Sequence, residues 1–149
     1  RGNMRLVTGR GLEALADFER ALSLDPRRAI FVAGRGLARH RVRSDLEGAR
    51  KDYDEAIRLD PACFQAWYNR GLLARERGDL ASAERDLRAA VAQRAQPEGN
   101  LALARVLIDR GTPALAIPLC EQSIQVYADE EVRALFRAEL ERARRAEKR

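Results

Sequence analysis

The sequence predicts an all-α fold, a solenoid of stacked antiparallel helix pairs, and three observations carry the prediction. A small, large, small triplet recurs four times, as Ala14-Phe18-Ala21, Ala49-Tyr53-Ala56, Ala83-Leu87-Ala90 and Ala116-Cys120-Ser123. Spacing of i, i+4, i+7 places each triplet on one stripe of a helix, and small residues on either side of a knob let a neighbouring helix come close. The triplets begin 35, 34 and 33 residues apart, a period expected of a helical array in which each unit buries its face against the next. Upstream of each triplet stands a second recurring small residue, Gly2, Gly36, Gly71 or Ala104. Glycine inside a helix costs about 1 kcal/mol relative to alanine, so its recurrence implies close backbone approach between the two helices of a unit.

The elements follow in order. Residues 1–28 form a first unit that starts inside its first helix, turns at Thr8-Gly9-Arg10-Gly11 and ends at Leu24-Asp25-Pro26, where proline stops a helix. With its start uncovered, Leu12, Leu15 and the Phe18 stripe are expected to be only partly shielded. Residues 29–63 form the second unit; Ser44 with Glu47 reads as a capping box in its Arg43-Ser44-Asp45 turn, and Leu59-Asp60-Pro61 closes it. In the third unit, 64–96, Asp79 caps the helix after Gly78. The fourth, 97–128, has Thr112 as cap before a first-position Pro113, and Pro118 inside its second helix predicts a bend. Residues 129–149 begin with Asp129-Glu130-Glu131, a good helix start. They continue with Val132, Leu135, Phe136, Leu140 and Ala143 on one face and Arg133, Arg137, Glu141 and Arg144 toward water, the pattern of a capping helix.

Trp67, Gly71, Gly78, Asp79, Ala83 and Ala90, with Leu87 at the usual aromatic place, resemble the tetratricopeptide-repeat pattern, and the resemblance covers about residues 1–127. Val32 stands where that pattern prefers Trp, and Ala104 replaces a glycine. The resemblance implies a right-handed superhelix whose first helices line a concave face, and a non-catalytic scaffold that binds proteins there. Because Arg1-Gly2-Asn3 aligns with Arg70-Gly71-Leu72, the chain is expected to be a piece of a longer protein.

Composition narrows the partners. The net charge of +5 is the excess of 28 basic over 23 acidic side chains; all the basic ones except Lys51 and Lys148 are Arg, and many are interleaved with acids at helical spacing. Most of this charge reads as a solvated face, with a slight preference for acidic partners. No apolar run approaches the roughly 20 residues that span a bilayer, so no membrane insertion by this segment is expected. Cys63 and Cys120 occupy unrelated places and read as two free thiols, which points to reducing, cytoplasmic surroundings.

No catalytic or metal-binding constellation stands out, and neither cofactor nor metal is expected. His40 is the single histidine, so a His-pair metal site is excluded. Gly34-Arg35-Gly36 and Gly9-Arg10-Gly11 neither follow a strand nor continue into a nucleotide-binding pattern. Projecting the repeat onto the chain makes Leu37, His40, Arg41, Tyr68, Asn69, Leu72, Arg75, Leu101 and Arg105 the candidate groove residues. Ala33, Gly34 and Ala102 would complete a small, apolar floor, and Arg41, Arg75 and Arg105 a rim suited to carboxylates. The expected ligand is a peptide or helix of a partner protein. The alternative for Leu37, Leu72 and Leu101 is partial cover by adjacent first helices. Two other functions are weighed: an RNA-binding helical repeat, disfavoured because Tyr68 is the groove's sole stacking aromatic, and a regulatory or oligomerising segment of a larger enzyme. Self-association through the uncovered first repeat belongs with the latter.

Overall fold

The computed structural model describes residues 11–43 and 45–148, and among them finds eight α-helices and no strand. The helices are α1 (Gly11–Leu24), α2 (Ala29–Arg43), α3 (Leu46–Leu59), α4 (Phe64–Glu76), α5 (Leu80–Gln93), α6 (Pro97–Asp109), α7 (Pro113–Val126) and α8 (Glu130–Glu147). The readings placed on Gly2, Asn3, the turn at Thr8 to Arg10 and Ser44 lie outside the described residues. The chain divides into two compact units, residues 1–73 and 74–149.

In the first unit α1 packs on α2 and α2 on α3. The triplets are the packing surfaces: Ala14, Phe18, Ala49, Tyr53 and Ala56 are all buried, and Ala21 is partly so. Gly36 shows why its place tolerates no side chain, since a Cβ there would stand 2.8 Å from Tyr53 Cε1 and 3.0 Å from Asp52 Cβ. Leu15 and Phe18 are buried rather than half-shielded, whereas Leu12 is 59% exposed. The cap of α3 is Asp45, whose Oδ1 accepts the Gly48 amide at 2.9 Å.

In the second unit α6 is the central element, contacted by α5, α7 and α8. That position explains its composition: Ala102, Leu103, Ala104, Val106, Leu107 and Ile108 are all buried, so apolar residues run around most of its circumference. Gly78 and Gly111 adopt φ of +78° and +76°, the left-handed conformation that lets a chain leave a helix. Asp79 Oδ1 accepts the Ser82 amide at 3.0 Å, and Asp129 Oδ1 the Val132 amide at 3.1 Å, as N-caps of α5 and α8. Thr112 sits at the N-cap of α7, but its hydroxyl donates back to the Leu107 carbonyl at 2.9 Å and caps nothing ahead of it. Helix α7 runs as one element through Pro118.

The last helix departs from the expected face. Its buried stripe is Phe136, Glu139, Leu140 and Ala143, while Leu135 is 49% exposed. Phe136 is fully buried and stacks on Tyr127, with ring centroids 5.8 Å apart at 15°. The buried stripe is narrower than the apolar pattern, taking in the carboxylate Glu139 and leaving Leu135, one turn earlier, at its exposed edge. The partner described below makes that burial affordable.

Candidate functional site

The candidate residues fall into the two units, and each set is built from the first helices of helix pairs. In the first unit, α2 carries Leu37, His40 and Arg41, and α4 carries Tyr68, Asn69 and Leu72. Leu37, His40, Tyr68, Asn69 and Leu72 are partly exposed and Arg41 is exposed. Tyr68 stacks on the buried Phe64 one turn earlier, centroids 5.4 Å apart at 13°, which holds its ring against α4. The expected floor is narrower than the sequence suggested. Ala33 is buried, and a Cβ at Gly34 would collide with the Phe18 ring at 2.4 Å, so both positions serve packing against α1 rather than an open face.

In the second unit Leu101 is partly exposed and Ala102 and Ile108 are core residues. The two arginines expected to await a partner's carboxylates already hold carboxylates of this chain. Arg75 donates through Nε and Nη2 to Asp109 Oδ2 at 3.0 and 2.7 Å, and Arg105 donates through Nε to Glu139 Oε1 at 2.7 Å. Arg142 joins the two pairs, reaching Asp109 Oδ1 at 2.6 Å and Glu139 Oε2 at 3.4 Å. Burial favours the neutral form of Asp109, but the hydrogen bonds and charges of Arg75 and Arg142 outweigh it and hold that carboxyl below the usual carboxylate range. The Asp109 hydrogen bond in turn raises Arg142.

A second feature escaped the sequence reading. Asp52 is 3% exposed inside the α2 and α3 pair. Both its oxygens accept from Arg35 Nε at 3.2 and 3.1 Å, Arg35 Nη2 adds a 2.6 Å bond to Oδ1, and Arg39 Nη1 reaches Oδ2 at 2.8 Å. Asp86, 1% exposed, recurs one repeat later, and Asp17 precedes Asp52 by 35 residues. The signal was present, because each Asp immediately precedes the large residue of its triplet. Helical charge pairing was also read too locally: Asp54 takes Arg70 from α4 at 2.7 Å, and Glu84 is held by Arg88 and Arg110.

The cysteines are free and buried, and burial, with Glu139 and Glu121 nearby, pushes the Cys120 thiol up to about 11. Among the described residues no group of three or more His, Cys, Asp or Glu side chains is arranged to hold a metal ion, and no helix is long and apolar enough to cross a membrane.

Paired helices that bury small-residue stripes at a period near 34 residues define an all-α helical-repeat protein. The tetratricopeptide-repeat family model matches residues 39–100 and 73–131, and the chain belongs to that family. A thermophilic tetratricopeptide-repeat protein of Thermus thermophilus superposes with a TM-score of 0.80 at 23% identity, over 93% of this chain and 77% of the other. MamA superposes at 0.69 with 17% identity, over 99% and 94%. A tetratricopeptide-repeat protein of Parabacteroides merdae gives 0.69 and 22% over 99% of this chain and 59% of its own. A search of curated proteins gives no match. These likenesses establish the fold, and the fold is one of protein-interaction scaffolds.

Proposed function

We propose that the chain is a non-catalytic scaffold that holds a peptide or helix of a partner protein on the first-helix face of its first unit. Leu37, Tyr68 and Leu72 supply apolar contact, and His40, Arg41 and Asn69 supply the polar edge. The observation that carries this reading is the partial exposure of Leu37 and Leu72, 35 residues apart on equivalent helices, beside an aromatic ring already fixed by Phe64. An aromatic ring already held by a stacking partner loses little conformational freedom when it is covered. Arg41 leaves the face receptive to an acidic neighbour in the ligand. A phosphate track is disfavoured, since Arg75 and Arg105 in the second unit are engaged with carboxylates.

The test compares proteins retained from a lysate by the wild-type chain and by Leu72→Glu and Tyr68→Ala. Retention of specific proteins is expected to fall about tenfold with the helical circular dichroism signal unchanged, because these side chains leave the core intact. Equal retention by all three would remove the reading. Steep loss of retention between about 50 and 200 mM salt, with affinity for generic single-stranded RNA, would favour nucleic-acid binding instead.

A further inference from the structure

The outer side of α7 is unlike that of the other second helices. Its exposed residues are Ala114, Leu115, Pro118, Gln122, Gln125 and Val126, with Leu115 at 51% and Val126 at 68%. None of the six is charged, in a chain of which 34% of the residues are. The same six places on α3, 67 residues earlier, hold Glu47, Gly48, Lys51, Glu55, Arg58 and Leu59, four of them charged. The single charge of α7, Glu121, is taken by Arg144 of α8 at 2.8 Å. Depletion of charge with apolar side chains left in water marks a surface that another molecule covers.

The strip is complementary to itself. Pro118 has no N–H to close a helical bond to the Ala114 carbonyl, so acceptor capacity is left on the exposed side at one end of the strip. Gln122 and Gln125, toward the other end, carry amide donors. The six positions are centred on residue 120. Turned about a two-fold axis through that centre, the strip meets its own copy antiparallel: Ala114 and Leu115 face the partner's Val126 and the partner's Gln125, and Pro118 faces the partner's Gln122. Apolar ends then lie on apolar ends, and the Ala114 carbonyl lies within a turn of a glutamine donor. Parallel pairing would instead set each acceptor against its own copy and align the helix dipoles. A two-fold contact also places every charge opposite its like, a penalty that a chain of net charge +5 escapes on a strip that has none. The footprint is small. A helix of 14 residues is about 21 Å long and about 10 Å wide with its side chains, which keeps the buried area under the roughly 1,200 Å² of a standard interface and makes the dimer a weak one.

We propose that the outer strip of α7 is a contact between two copies of this chain, paired antiparallel about residue 120. It lies on a second helix of the second unit and does not depend on partner binding at the first-helix face of the first unit.

Sedimentation equilibrium of the wild-type chain is expected to show monomer and dimer exchanging between about 10 µM and 1 mM. Leu115→Glu and Val126→Arg should each weaken the dimer at least about tenfold and leave the melting temperature unchanged, as exposed positions allow. Combining the two substitutions in one chain decides the seating. The two positions are 11 residues apart, about 16 Å along one helix and too far to pair within a chain, whereas antiparallel pairing brings each glutamate to the partner's end that carries the arginine. The double variant should therefore dimerise within about threefold of the wild type. A wild-type chain that stays monomeric at about 1 mM, or a dimer indifferent to both single substitutions, would overturn the proposal. So would a double variant as dispersed as the single ones. A dimer that survives Leu115→Glu but is lost on removing residues 1–10 would assign association to the first repeat instead. Leu72→Glu and Tyr68→Ala should leave the dimer intact, which separates this contact from partner retention; dispersal by either would move the contact off α7 and overturn it.

Discussion

Replacing Asp52 with alanine tests the logic of the helix pair in the first unit most directly. The carboxylate side chain is 4% exposed and is shared by two guanidiniums whose side chains are each 27% exposed. Removing one partner of a buried pair costs about 3–5 kcal/mol, because the remaining charge is stranded. Arg35 and Arg39 keep about a quarter of their surface in water and recover part of their hydration, which places the expected loss near the lower end, about 3 kcal/mol. The chain itself supplies the compensating design. In the fourth repeat the positions equivalent to Arg35, Arg39 and Asp52 are Leu103, Leu107 and Leu119, an all-apolar version of the same trio. Converting Arg35, Arg39 and Asp52 together to leucine is therefore expected to return stability to within about 1 kcal/mol of the wild type. Trp67 is the only tryptophan, lies in the first unit, donates from Nε1 to the Pro61 carbonyl at 2.9 Å and has Arg70 4.8 Å from its ring. Its fluorescence during urea denaturation reports that unit without assuming one transition for the whole chain. A single mutant within about 0.5 kcal/mol of the wild type, or a triple mutant no more stable than the single, would refute the reasoning.

Two further outcomes concern the second unit. Phe136→Ala removes a fully buried ring stacked on Tyr127 and should cost about 3–5 kcal/mol, whereas Leu135→Ala should be nearly neutral; comparable melting temperatures for the two variants would show that α8 is seated differently. Folding lowers the pKa of Asp109, so its contribution is whole above the ordinary carboxylate pKa of about 4 and is lost as pH falls through the lower native value. Urea midpoints measured from pH 6 down to 2.5 should therefore decline less steeply in Asp109→Asn than in the wild type, and parallel profiles would contradict the arrangement.

The sequence by itself determined the helices, their pairing and the family. These properties repeat: a triplet at i, i+4, i+7 has one helical reading, and its recurrence near 34 residues leaves stacking as the way to bury it. Gly36 was legible for the same reason, since only a close approach justifies glycine inside a helix. Even Asp52 and Asp86 were legible in principle, being charges at a repeated place on a buried stripe. The tertiary structure decided what each arginine faces. Arg75 and Arg105 look like open cations in one dimension, yet Asp109 and Glu139 reach them from helices one repeat away, a distance over which local charge spacing is silent. The same cause buried Glu139 on α8 and left Leu135 exposed. Apolar patterning assigns the leucine inward, but burial follows the whole neighbourhood, and a glutamate whose carboxylate is met by Arg105 and Arg142 can be covered while a leucine one turn away stays in water.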